Sequence, residues 1–441
     1  MYSVPLSLRS FLVFLHLNHD SLQFYRREFR ATQESPHLQR AILRSLQRPL
    51  SVLLTNLSGI LLPLLSSPAF HTAPAPTVQN PNPNPTQVHA LAIAGFVEEL
   101  LETFDALDLG VDVDLRGDVA LKSIRDGLVS LINRVVAPLV ASIHKELILI
   151  LEALETPNAK LIHGAKASSP FHPSIITLQA NMPVYAKAMA RYTTSPASQA
   201  TLATFLISVV WRGLVALAHR PYISPSPPAS PGLTPLSSKK SRGTLTPPLT
   251  PPASRFTMKL PPSRPPSPPA QMAVASTAAD ARALFDLLNL LHRPSRDKES
   301  TRLAGEAVDD AFQGLQALPP LLEAAHSLPS STADSQHRLN ELAYKLELLA
   351  TEVPLLIALP VVLQAPVPNQ STPVSVSGLI GLSETEYRSQ CLSGFGRAEE
   401  CATTVAFRVL ATLRSHPGIH PVVSKWLGME IAEALEMPVP A

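Results

Sequence analysis

Apolar residues recur at alternating steps of three and four across residues 119–154. Leu121, Ile124, Leu128, Leu131 and Val135 fall on one face of a helix at this spacing. Pro138 interrupts the register, and Leu139, Ile143, Leu147, Ile150 and Leu154 resume it. Proline lacks an amide hydrogen and its ring crowds the preceding turn, so the pattern predicts a helix kinked at Pro138 and closed by Pro157. Residues 333–364 repeat the behaviour. Leu339, Leu342, Leu346, Leu349, Val353 and Leu356 hold heptad spacing, with Arg338, Glu341, Lys345, Glu347 and Glu352 on the opposite face. Pro354 and Pro360 argue against a long coiled coil and for a short bundle helix.

Helix boundaries are written locally. Ser383-Glu384-Thr385-Glu386 has the form of a capping box, in which the serine side chain accepts from a free amide and Glu386 reaches back. Further helices are expected over 397–414, ended by His416-Pro417-Gly418, and over 421–435. Strand signals are scarce. Val361-Val362-Leu363 and Val374-Ser375-Val376 are too short to count. The expected fold is all-α, built of helical bundles.

Two apolar runs approach membrane-span length, Leu50 to Leu65 and Ala203 to Ala218. The first is short of the roughly 20 residues a span needs and contains Asn56, Gly59 and Pro63. The second has Arg212 at its middle, which costs about 2.5–3.5 kcal/mol at a bilayer centre. Both read as buried bundle helices, Trp211 being a core residue of the second.

Composition divides the chain. It has 441 residues, 45 of them proline and only 17 glycine, so collagen is excluded. The stretch 221–272 holds sixteen prolines, no Asp or Glu, and six basic residues. It cannot bury enough apolar surface to offset its ordering, and it reads as a disordered linker of extended, polyproline II character. A helical bundle over 1–220 and another over 273–441 would flank it, packed separately or as one fold. A smaller Pro/Asn-rich loop is expected at 67–86, and a third break at 365–377.

The net charge is only +2, and the linker's +6 leaves −4 elsewhere, so nucleic-acid binding is not expected. The linker also lacks interleaved aromatics, with Phe256 alone. Ser224, Ser226, Ser230, Thr234, Thr246, Thr250 and Ser267 are each followed by proline, the pattern that proline-directed kinases need. Nearby basic residues would pair with the added charge. Lys259, Pro262 and Pro265 match a basic-x-x-Pro-x-x-Pro arrangement whose prolines align on one face of a polyproline II helix, as SH3-type grooves require.

Signatures for chemistry fail on inspection. Asp112 to Asp118 imitates a calcium loop, but Arg116 and Ser123 occupy ligand positions, and Asp118 reads as a cap. The histidines show no zinc spacing, and neither a nucleotide-binding loop nor a nucleophile elbow is present. Glu98, Glu99, Glu102, Asp105 and Asp108 form an acidic helix face that reads as solvated or as a docking surface for a basic partner or for the protein's own linker. No catalytic, cofactor-binding or metal-binding residue is assigned.

Cys391 and Cys401 are the only cysteines, and read as two reduced thiols of a cytoplasmic or nuclear protein. A bridge between them requires that they meet in space. Arg9 and Phe11 to Leu15 only faintly resemble a signal peptide, since the apolar stretch is short and no cleavage site follows, so secretion is not expected. The sequence reads as a non-enzymatic helical scaffold or assembly subunit that binds proteins through apolar helix faces. The alternatives are a peripheral membrane protein, anchored through 7–17 and 50–65 with Arg9, Arg26, Arg27 and Arg30 near headgroups, and an enzyme with an unrecognised all-helical site.

Overall fold

The computed structural model describes residues 36–71, 75–106, 119–156, 171–221, 276–296, 299–326, 344, 352–364, 374–415 and 421–436. Among these residues there are thirteen α-helices and no strand, so the fold is all-α. In chain order they are α1 (Pro36–Leu65), α2 (Pro68–His71), α3 (Pro85–Ala106), α4 (Val119–Glu152), α5 (Pro173–Tyr192) and α6 (Gln199–Ala218). After the stretch 222–275 come α7 (Thr277–Leu288), α8 (Glu299–His326), α9 (Leu355–Leu363), α10 (Val376–Ile380), α11 (Glu384–Cys391), α12 (Phe395–Ser415) and α13 (Pro421–Glu436). Short 3₁₀ turns cover Ala153–Glu155 and Pro196–Ser198.

The abundant proline is put to a local use. Pro36, Pro68, Pro85, Pro173 and Pro421 each open a helix, where the missing amide hydrogen has no helical partner to lose and the fixed φ suits the first turn. The expected loop at 67–86 is irregular over 75–84, but its two ends are helical. Pro68 starts α2, and the last Asn-Pro step starts α3. Asn84 caps α3 by accepting from the Gln87 amide at 2.9 Å, and Gln87 Oε1 accepts from the Asn84 amide at 3.1 Å.

Helix α4 continues through Pro138 to Glu152. Its predicted stripe is buried from Leu121 to Leu147. At the far end the core position is Leu151, not Ile150, which is half-buried. Four-residue steps from Val135 drift around the helix, because four residues at 100° each overshoot a turn by 40°. The heptad pattern over 339–356 does not make one helix to its end. The chain turns at 352–353, and α9 starts after Pro354, which lies in extended backbone. Val353 and Leu356 are buried. Leu339, Leu342, Leu346 and Leu349 lie outside the described residues.

Helix α6 stands at the centre. It packs on α4, α7, α8 and α9. Helix α4 also carries α1, α3 and α5, while α12 gathers α9, α10, α11 and α13. One continuous hydrophobic core runs through all of these, so helices from both sides of 222–275 share it. At Gly213 a Cβ would stand 2.8 Å from Leu284 Cδ2, so a side chain there would oblige the Leu284 tip to shift. Helix α9 is apolar on every face and buried from Leu356 to Leu363, as such a helix must be. Both α1 and α6 are long and apolar enough to cross a membrane. In α6, 67% of that apolar window is buried, and in α1 only 22%.

Candidate functional site

In a chain this poor in charge, the convergence of ionised groups at one end of α6 stands out. Helix α6 is followed by its C-cap His219 and by Arg220, immediately before Pro221. Each residue enters a separate network. Arg220 Nη1 donates to Asp280 Oδ2 at 2.5 Å, and Asp280 Oδ1 accepts from the His172 backbone amide at 3.0 Å. Asp280 is 0% and Arg220 5% exposed at the side chain. Asp280 is set in the first turn of α7, which Ser276 caps by accepting from the Ala279 amide.

His172 has two further tasks. Its Nδ1 caps α5 by accepting from the Ser174 amide at 3.2 Å, and its Nε2 lies 3.0 Å from the Thr156 carbonyl. This pattern assigns the proton to Nε2 and requires a neutral ring. Burial and the Arg220 charge push its pKa down, against weaker upward contributions from the Thr156 bond and Asp280.

The second network starts at His219. Its Nδ1 donates to the Val215 carbonyl at 3.0 Å, and burial pushes its pKa down. Its ring lies 6.2 Å from that of Tyr387, and His219 Nε2 and the Tyr387 hydroxyl are buried without a hydrogen-bond partner. Burial drives the Tyr387 pKa upward. Alongside, Arg388 forks onto Glu155, with contacts of 2.8 and 2.5 Å, and its Nε donates to Glu384 Oε1 at 2.6 Å. The Glu155 bonds hold Arg388 more firmly charged than usual. Glu384 Oε2 accepts from Ser377 at 2.7 Å. Desolvation works upward on Glu384, but the Arg388 and Ser377 hydrogen bonds outweigh it and hold its carboxyl below the ordinary range.

Five separated segments therefore meet: 155–156, 172–174, 219–220, 280 and 377–388. The carboxylates are engaged by arginines, which makes the cluster a fastening device. It ties the end of α4, the start of α5, the end of α6 and the start of α7 to α11. It also joins Arg220 to Asp280, so the described backbone leaves at Pro221 and returns at Ser276 from one place. No group of three His, Cys, Asp or Glu residues able to hold a metal occurs among the described residues.

A second feature is an open groove of about 490 Å³ between α7 and α8, lined by Phe285, Arg293, Asp309, Phe312 and Glu352 among others. Arg293 lies over the Phe312 ring at 4.2 Å and pairs with Asp309, as does Arg296. The groove's charges are largely matched internally.

The phosphorylation candidates Ser224, Ser226, Ser230, Thr234, Thr246, Thr250 and Ser267, and the docking candidates Lys259, Pro262 and Pro265, lie outside the described residues. So do Asp112 to Asp118, and Asp108. In the acidic face of α3, Asp105 pairs with Arg125 at 2.5 Å and Glu98 accepts from Thr194 at 3.5 Å, while Glu99 and Glu102 are exposed. Trp211 is a core residue, 2% exposed, whose Nε1 donates to the Leu392 carbonyl at 2.8 Å. The capping box at Ser383 is present in full. Sequence reasoning missed the buried pair Arg220–Asp280. The available signal was a lone acid on the flank of the apolar stripe Ala278, Ala281, Leu284 and Leu288.

The buried histidines carry a pH prediction. Burial pushes the pKa of His144, His172, His219 and His292 down. The unfolded chain takes up protons at these sites near pH 6.5, while the folded chain resists. The histidine contribution to stability should be complete above about pH 6.5 and fall as the pH drops below it. Urea midpoints at pH 7.5, 6.5 and 5.5 check this, and a flat profile would contradict it.

No known protein family, curated protein or solved structure matches this chain.

Proposed function

We propose that the chain is a non-enzymatic helical scaffold or assembly subunit, which binds protein partners through its helix faces and offers 221–272 as a modifiable docking arm. The observation that carries this reading is the fastening at Arg220 and Asp280. It ties both ends of the arm to a shared helical core, and the cluster's carboxylates are engaged in holding helices together. The arm's seven Ser-Pro and Thr-Pro steps would receive negative charge among its six basic residues, and Lys259, Pro262 and Pro265 would engage an SH3-type groove.

The test compares affinity capture by the full-length chain with capture by a version in which 222–272 is replaced by a short Gly/Ser bridge. A stoichiometric partner set retained by both versions supports the helical faces as the binding surface. Partners lost with the arm transfer the function to it. No reproducible partner with either version overturns the proposal.

One observation favours a second reading, attachment to a membrane surface. Helix α1 is apolar yet mostly unburied, it exposes Arg44 and Arg48, and it contains no acidic residue. Flotation with vesicles containing phosphatidylserine separates the two readings. The scaffold stays at the bottom of the gradient, and a membrane-surface protein rises with the lipid.

A further inference from the structure

The two cysteines stand on neighbouring helices. Cys391 ends α11 and is buried, whereas Cys401 lies in the second turn of α12 and is partly exposed. Residues 392–394 turn the chain between them, and α12 packs back on α11. The Cys401 thiol donates to the Gln390 carbonyl at 3.7 Å, the group that adjoins the Cys391 amide. Arg397 Nε donates to the same carbonyl at 2.7 Å, which stations a guanidinium at this corner. The neighbouring Cys401 thiol works upward on the Cys391 pKa, and the Arg397 charge works downward on it. The chain has no other cysteine to compete for either.

We propose that Cys391 and Cys401 form a reversible redox modification site, which closes to an intramolecular disulfide by exchange with a small-molecule disulfide of the glutathione type. The Cys401 thiolate, being accessible, attacks one sulfur of the small disulfide and expels the first small thiolate. A mixed disulfide then stands at Cys401. The Cys391 thiolate attacks the Cys401 sulfur and expels the second small thiolate. The two released thiolates take up the two protons the cysteines lost, and two electrons pass from the cysteine pair to the small disulfide. The order follows from burial. Desolvation, with Cys401 beside it, pushes the Cys391 thiol up to about 11. It is a poor first nucleophile in bulk solution, but it is held against the mixed disulfide, where proximity replaces collision. Closure would lock the α11–α12 corner, which is tied to the core through the Leu392 carbonyl on Trp211 and the Phe395 ring 4.6 Å from that indole.

The test uses the full-length chain equilibrated in glutathione buffers of rising oxidised fraction, with thiol counting, intact mass and peptide mapping. The expected product has lost both thiols together, weighs two hydrogens less, yields a linked 391–401 peptide and reverts with dithiothreitol. Cys391→Ser should stop at a glutathione adduct on Cys401, several-fold more abundant than in the unsubstituted chain. Cys401→Ser should stay reduced. Three results would overturn the proposal: an unsubstituted chain that accumulates the adduct as Cys391→Ser does, one that links between molecules, or one that keeps both thiols when the small disulfide is in large excess. Both serine variants are nearly isosteric, and circular dichroism reports whether either has failed to fold.

Discussion

Replacing Asp280 by alanine should lower stability by about 3–5 kcal/mol, the cost of removing one partner of a buried ion pair. The magnitude comes from what remains. Arg220 is almost fully buried and would keep its charge with no counter-ion. The His172 amide would lose its acceptor as well, and His172 opens α5. Asp280→Asn separates these effects. It keeps an oxygen for the His172 amide but not the charge that Arg220 requires, so most of the loss should persist. Substituting both partners by leucine should cost much less than Asp280→Ala, because no buried charge survives. The remaining loss should be about 1–3 kcal/mol for the unpaired His172 amide. Urea unfolding of the four proteins checks the order. Equal losses for Asp280→Ala and the double substitution would show that the charge is not what matters.

Truncating Trp211 to alanine should cost about 3–5 kcal/mol, the usual penalty for emptying a large aromatic site in a core. The indole lies in α6, where Phe205, Leu206, Val209, Val210, Leu214 and Leu217 are also buried. It reaches the corner before α12 through its bond to the Leu392 carbonyl and its contact with Phe395. Trp211→Phe should recover most of the packing and leave the Leu392 carbonyl unpaired, at about 1–3 kcal/mol. Hydrogen exchange gives a spatial check. The first turns of α12 should lose protection in both variants, while α3, which packs on α4 and α1, should keep it in Trp211→Phe. Equal loss of protection in α3 and α12 for Trp211→Phe would argue against a local role.

Much of the helical framework could be read from residues three and four apart. The stripe from Leu121 to Leu147, the capping box at Ser383 and the extent of α12 and α13 depend on amphipathic spacing and on hydrogen bonds within one turn. The role of the prolines was half legible. Pro138 and Pro360 lie inside helices, each at the loss of one backbone hydrogen bond, while Pro68 and Pro85 begin helices, where no such bond is lost.

Of the polar cluster, only the local bonds of the capping box at Ser383 were foreseeable, and these belong to one turn of α11. Arg388 meets Glu155 across 233 positions, His172 meets Asp280 across 108, and Arg220 meets Asp280 across 60. Periodicity shows which face of a helix is turned inward but not which helix it meets. That choice depends on crossing angles and loop closure, summed over the whole core. The exchange of Ile150 for Leu151 at the end of α4 has the same origin, since a small drift per turn is resolved only by the neighbour it must fit. By itself, the sequence determined the all-α class, most helices and their inward faces, because these follow from interactions spanning one or two turns. Only the tertiary structure decided the shared core across 222–275, the fastening of Arg220 to Asp280 and the meeting of Cys391 with Cys401. Each depends on groups that become neighbours when separate helices pack.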